Sequence, residues 1–280
     1  MISRRPGGQR VCRSALAITI AVLSLPHQMA SLSRVVAYCD STLRVRDVGD
    51  WPNALNGLQI VNSGKINRIG AAVDASTRTL GLAAKRRVDF LIVHHGIFWP
   101  GLRPVRGILG RQVRIAFDAD LALYSAHLPL DVHRTLGNNA RLVRSIGLAS
   151  ASPFLEEKGQ LVGLKVKAAR ARSALLAKLR TTLGSATIRA FNFGPETTRV
   201  IGVVSGAGGS EIYRVADEGV DTFITGEAPH WAAIAAEELG LNLWLGGHYA
   251  TETFGVKALG ASVARKFKLP FQFIDCPTGL

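Results

Sequence analysis

A chain of 280 residues with 48% hydrophobic content can hold one large or two modest domains with real cores. Its 34 basic residues against 20 acidic ones give a formal charge of +14, but the arginines are scattered, as in Lys85-Arg86-Arg87 and Arg170-Ala171-Arg172. They show no interleaved aromatics and no zinc-finger or RNP-like spacing. Solvated helix faces are the favoured reading, and nucleic acid stays a weakly supported partner. The three cysteines, Cys12, Cys39 and Cys276, are far apart and indicate neither a disulfide framework nor a cysteine zinc site. No run of about twenty apolar residues is present for a membrane span, and a reducing, cytoplasmic location is expected.

In chain order, residues 1–28 carry Arg4, Arg5, Arg10 and Arg13 without an acid, then an apolar run. The stretch looks like a leader with a poor cleavage site. It is read as an extension outside the fold, with Met29 as the favoured start. Ser31 then caps an amphipathic helix with Leu32, Val35, Val36, Cys39 and Leu43 on one face. After a turn-rich entry at 53–61, strands at 69–73, 90–93 and 121–125 alternate with helices at 76–85 and 110–117. Such alternation predicts βαβ units and a largely parallel sheet. Strands at 160–167 and 187–193 flank a helix at 168–183, and a strand at 199–204 leads through Ser205-Gly206-Ala207-Gly208-Gly209-Ser210 into a helix from Glu211. Strands at 221–225, 242–245 and 271–274, with helices from His230 and through Glu252, return to the first pattern. The expected fold is α/β with two lobes and mixed sheets. Residues 29–133 plus 222–280 form a metal-binding lobe, with 134–221 inserted as the second.

The chemistry centres on Gly246-Gly247-His248-Tyr249-Ala250-Thr251-Glu252. On a helix, His248 and Glu252 project from one face and form half of a divalent metal site. His94 and His95 end one apolar run, and Asp131 follows another, where α/β sheets collect ligands. A metal site at the carboxyl ends of first-lobe strands is therefore expected. Neighbours on a strand point to opposite sides, so His94 and His95 suit two ions better than one. Asp131 is assigned beside His95, His248 beside His94, and Glu252 as the bridge. Two ions with open positions favour hydrolysis of an anionic small molecule, and the ligand set does not choose among zinc, iron and manganese. His127 is read as fixing its loop, Glu227 as complementing a helix dipole and His230 as exposed. The glycine-rich turn lacks the P-loop lysine and is read as a plain turn rather than a phosphate cradle. No GxSxG elbow supports serine catalysis.

Asn56-Gly57-Leu58-Gln59, Val93-His94-His95-Gly96, His127-Leu128-Pro129-Leu130-Asp131 with Gly137-Asn138-Asn139, and Gly247-His248-Tyr249-Ala250-Thr251-Glu252 together resemble the GTP cyclohydrolase I type 2 homologs, the Nif-three-like dinuclear metal-centre proteins. The resemblance runs from about Met29 to Leu280, and the length matches the short family form. It implies a homohexameric toroid of two-lobed subunits with two metal ions in each. By motif match the ligands are His94, His95, Asp131, His248 and Glu252. The family name implies metal-dependent opening of the GTP imidazole ring. The alternative is a non-enzymatic metal-binding or regulatory scaffold acting through protein partners.

Overall fold

A computed structural model describes residues 1–2, 29–184 and 188–280. The reading of 1–28 as an extension falls almost wholly outside them.

The fold starts with β1 (Ala30–Ser31) and α1 (Leu32–Leu43), the latter capped by Ser31 Oγ accepting from the Arg34 amide. Then come β2 (Gly57–Ile60), β3 (Lys65–Ile66), β4 (Ile69–Asp74), α2 (Thr77–Lys85), β5 (Phe90–His95), α3 (Gly107–Asp118), β6 (Ala122–Ser125) and the short α4 (Leu128–Asp131). The middle of the chain holds α5 (Asn138–Ser145), β7 (Ser152–Glu157), β8 (Gln160–Ala171), α6 (Arg172–Leu183), β9 (Arg189–Asn192) and β10 (Thr197–Val204). It closes with α7 (Ile212–Asp217), β11 (Thr222–Thr225), α8 (His230–Glu238), β12 (Asn242–Leu245), α9 (His248–Phe267) and β13 (Phe271–Phe273).

Two sheets organise these elements. The first has five strands in the order β13-β4-β5-β6-β2, parallel except for β2 at its edge. Its strand β5 is buried throughout, as expected when helices cover both faces. Phe90 and Ile92 pack toward α1 and α9, whereas Leu91 and Val93 pack toward α2 and α3. The second sheet is mixed, with six strands ordered β7-β8-β10-β11-β12-β9. Helices α7 and α8 cover one of its faces, and α5 and α6 cover the other.

Sheet membership corrects the expected division of the chain. Strands β11 and β12 were expected in the first lobe, but they pair parallel with β10 and each other in the second sheet. Short apolar strands carry no local mark of which sheet they join; pairing of Ile201 to Val204 with Thr222 to Thr225 decides it. Only α9 and β13 return to the first core, through Val256, Leu259, Val263 and Phe267. The helix expected from 168 begins at Arg172, because pairing of Thr197 with Ala171 and Thr198 with Arg170 holds those residues in β8. The sequence reading missed β7. It forms a hairpin with β8 through Lys158 and Gly159, both at positive φ, as a two-residue hairpin turn requires.

Candidate metal centre

The end of β5 presents His94 and His95, and the strands on either side anchor them. His94 Nδ1 lies 2.8 Å from the Ala126 carbonyl, just beyond β6. His95 Nδ1 lies 2.8 Å from Asp74 Oδ1, at the end of β4. An acceptor at Nδ1 fixes the ring proton there and leaves Nε2 with a free lone pair in the neutral ring. His248 follows the same rule, with Nδ1 3.0 Å from Glu227 Oε1. Gly247 adopts φ +91 to turn the chain from β12 into α9, at whose first residue His248 stands.

Glu252, one helical turn further on, is buried among the three imidazoles. Its Oε1 is 3.6 Å from His94 Nε2, and its Oε2 is 3.6 Å from His95 Nε2 and 3.2 Å from His248 Nε2. Asp131 Oδ2 is 3.4 Å from His94 Nε2. Asn138 Nδ2 donates to Asp131 Oδ1 at 2.8 Å, and Ser205 Oγ donates to the same atom at 3.4 Å. The fold thus gathers His94, His95, Asp131, His248 and Glu252 in one place. Their grouping differs from the expected one. Asp131 sits with His94, and His248 sits with His95 and Glu252, because β5 leans His94 toward β6 and His95 toward β4. The cluster is also not confined to the first sheet: it lies where the carboxyl ends of β5 and β6 meet the segments after β10 and β12.

The donor set fits divalent cations. Two ligand atoms about 2.05 Å from one tetrahedral ion stand about 3.3 Å apart, and the separations here run from 3.2 to 3.6 Å. Among the described residues, the buried side-chain polar atoms without a hydrogen-bond partner are His94 Nε2 and Glu252 Oε2. Such orphaned atoms are costly unless something else satisfies them. Electrostatics points the same way. Burial pushes the Glu252 carboxyl up, but His94, His95 and His248 outweigh it and hold the group well below the usual carboxylate range. Burial disfavours charge on His94, yet Asp131 and Glu252 raise its pKa well above normal. Against burial, Glu252 and Glu227 raise His248 to about 9.

Residues around the cluster explain several motif positions. The Asn138 carbonyl oxygen accepts from the Gly255 amide at 2.6 Å, so one side chain ties Asp131 to α9. Asn139 joins the Val162 carbonyl to the Ser205 amide, both at 2.7 Å. Gln59 Oε1 accepts from the Ile97 amide, and a Cβ at Gly96 would collide with the Gln59 side chain. Gly206, at φ +68, leaves room for Glu252 Oε1, which a Cβ there would strike. The glycine-rich turn is therefore part of the site wall. His127 Nδ1 pairs with the buried Asp50 at 2.9 Å, and the His127 amide donates to Asn56 Oδ1 at 2.7 Å, bonds that fix its loop. His127 also lies within 4.8 Å of the ligand atoms of His94 and His95. His230 is exposed at the start of α8. The sequence reading missed Asp74 and Asp50 altogether and gave Glu227 only a dipole role. Asp74 was detectable as the carboxylate ending the strand beside the His94-His95 run.

A cavity of about 410 Å³ opens onto His95, Asp131, His248 and Glu252, whereas His94 lies behind its wall. Among the described residues no helix is long and apolar enough to cross a membrane.

Comparison with known proteins places these features in a family. The family described as Duf34/NIF3 (NGG1p interacting factor 3) matches residues 30–278. A relative from Archaeoglobus fulgidus, named GTP cyclohydrolase 1 type 2 homolog, is 38% identical over 250 residues, covering 89% of this chain and 100% of its own. One of the same name from Deinococcus radiodurans is 40% identical over 236 residues, covering 83% and 89% respectively. The crystal structure of TTHA1606 from Thermus thermophilus superposes with a TM-score of 0.82 at 37% identity, over 90% of this chain and 100% of that one. The chain belongs to the Duf34/NIF3 family.

Proposed function

We propose that the cluster holds two divalent cations and that the protein is a metal-dependent hydrolase of a small molecule. A nucleotide or another anionic compound is the expected class, with GTP as the first candidate because relatives bear that name. His94, Asp131 and Glu252 Oε1 would hold one ion; His95, His248 and Glu252 Oε2 would hold the other. When bound, two such ions supply Lewis-acid charge and lower the pKa of water. The chain's own contribution is orientation: Ala126, Asp74 and Glu227 fix the three imidazole rings, and Asn138 fixes Asp131. Glu252 would span the two positions, offering one oxygen to each.

The two orphaned buried atoms, His94 Nε2 and Glu252 Oε2, carry this proposal. Zinc, iron and manganese all suit the nitrogen and oxygen donors. Metal content per subunit, measured on protein purified without chelators, tests it. About two ions are expected, followed by turnover in a substrate screen beginning with GTP. Folded protein without stoichiometric metal overturns the proposal. Full metal without turnover across the screen leaves a metal-binding scaffold instead. We propose in addition a homohexamer. The exposed Tyr213–Trp231 stack and Ile234 offer an apolar surface for subunit contact, and native mass spectrometry reads the assembly.

A further inference from the structure

The cavity over the cluster has a composition that singles out a ligand class. One side carries four aromatic rings, Trp51, His95, Trp99 and His127. Trp99 packs on His127 with centroids 4.5 Å apart and on His95 at 4.9 Å, and Trp51 packs on His127 at 5.8 Å. Leu155, Val162 and Val204 add aliphatic surface. Trp51 is exposed, although largely buried indoles are the usual state. Among the described residues, the lining contains neither lysine nor arginine, in a chain of formal charge +14. Glu157 and Glu211 are the acids of the lining beyond Asp131 and Glu252. Arg214 lies outside it and is shared between them, 2.7 Å from Glu211 and 3.8 Å from Glu157. Lys158, also outside the lining, lies 5.1 Å over the Trp51 ring.

From this we infer that the cavity is a stacking slot for a flat, uncharged aromatic or heteroaromatic ring, whose one polar head reaches the metal pair. The inference rests on the two-metal proposal and narrows its substrate class. Aromatic side chains accept any planar ring because each ring has a π-face. An anionic group at the far end of the ligand would meet no cation in the lining, and the nearest one, Arg214, is already engaged by Glu211 and Glu157. Charge is thus to be met by the ions, and shape by Trp51 and Trp99.

Hydroxamates separate the two parts, since they share one metal-binding head. Acetohydroxamate, 2-naphthohydroxamate and a naphthohydroxamate carrying a sulfonate on the far ring are titrated calorimetrically into the zinc-loaded full chain. The naphthyl compound is expected to bind about tenfold to a hundredfold tighter than acetohydroxamate, and the sulfonate to weaken it. Trp51→Leu should remove most of the naphthyl gain and leave zinc content and acetohydroxamate binding unchanged. Trp99→Leu is the second variant, read the same way after a zinc assay. Equal affinities for acetohydroxamate and the naphthyl compound overturn the slot while the metal centre stands. A sulfonate that tightens binding tenfold overturns the uncharged-ring assignment. Zinc-free protein overturns the metal proposal and this one with it, whereas zinc-loaded protein that binds none of the three compounds overturns the slot alone.

Discussion

The two halves of the cluster share Glu252 but differ in how their histidines are buried and anchored. The inner half, His94 with Asp131, has a histidine whose side chain is 0% exposed, anchored on a backbone carbonyl. The outer half, His95 with His248, includes a histidine 27% exposed, anchored on Glu227, which is itself 44% exposed. Backbone carbonyls do not titrate or swing away, whereas an exposed carboxylate is screened and mobile. One scaffold can in this way set two affinities from similar donors. On the two-ion proposal, the inner position would retain its ion, and the outer one, beside the more exposed His248, would exchange.

The severest test of this contrast removes what the halves share. Glu252→Ala should lose both ions, because each half then keeps only two protein donors. Metal analysis by mass spectrometry reads the result, with circular dichroism as the control for folding. Full metal retention would sink the bridging role. Next in size come the one-sided changes. Asp131→Ala should lose mainly the inner ion, and His248→Ala mainly the outer, leaving about one ion per subunit in each. If the two variants empty the same position, the inner and outer assignment is wrong.

Changing pH should act on both halves, with a smaller effect, because His94 and His248 are both raised above the ordinary imidazole value. The carboxylates of Glu252 and Glu227 raise His248 to about 9 against the effect of burial, so the metal-free ring carries a proton at pH 7. An ion entering the outer position must displace that proton. Affinity there should rise by up to about tenfold per pH unit from pH 7 and flatten above about 9. Titrations in buffers of differing ionisation enthalpy count the released proton. The same shift has a consequence for the empty protein. The stability that the raised pKa of His248 contributes is fully present below its ordinary value and is lost as pH rises through about 9.

The donors gathered in both halves were legible in the sequence, but the carboxylates that anchor the outer half were not. His94 and His95 announce themselves because an apolar run that ends in two imidazoles must present them at a strand end. The helical spacing of His248 and Glu252 is equally local. The partners of these residues were not local. Asp74 meets His95 through strand register, and Glu227 meets His248 because β11 and β12 lie side by side in the second sheet. The same cause misplaced β11 and β12. Pairing between short apolar strands is decided by neighbours far away in sequence, as when β10 recruits β11. The expected grouping of ligands failed for a related reason. Alternation along β5 suggests that the two imidazoles part, yet their rings stand 4.8 Å apart beside one carboxylate, and only the flanking strands say which way each one leans.

The smallest expected effect belongs to the anchors themselves. Glu227→Gln keeps a hydrogen-bonding oxygen near His248 Nδ1 but removes its charge. An orienting partner of this kind is worth about tenfold to a hundredfold in metal affinity. Because Glu227 is 44% exposed, the low end of that range is expected. The outer ion should therefore weaken by about tenfold while the inner one is unchanged, and the metal-free His248 should titrate below about 9. Asp74→Asn is the companion change on His95, whose side chain is 10% exposed, and should weaken the same outer ion somewhat more. Competition with a chromophoric chelator measures both affinities, and proton NMR of the histidine rings follows the titration. Equal weakening of the two ions in Glu227→Gln would show that the halves act as one unit through Glu252. The exposed carboxylate would then be felt at a buried imidazole it does not touch, and the contrast between a retained and an exchangeable ion would have to be given up.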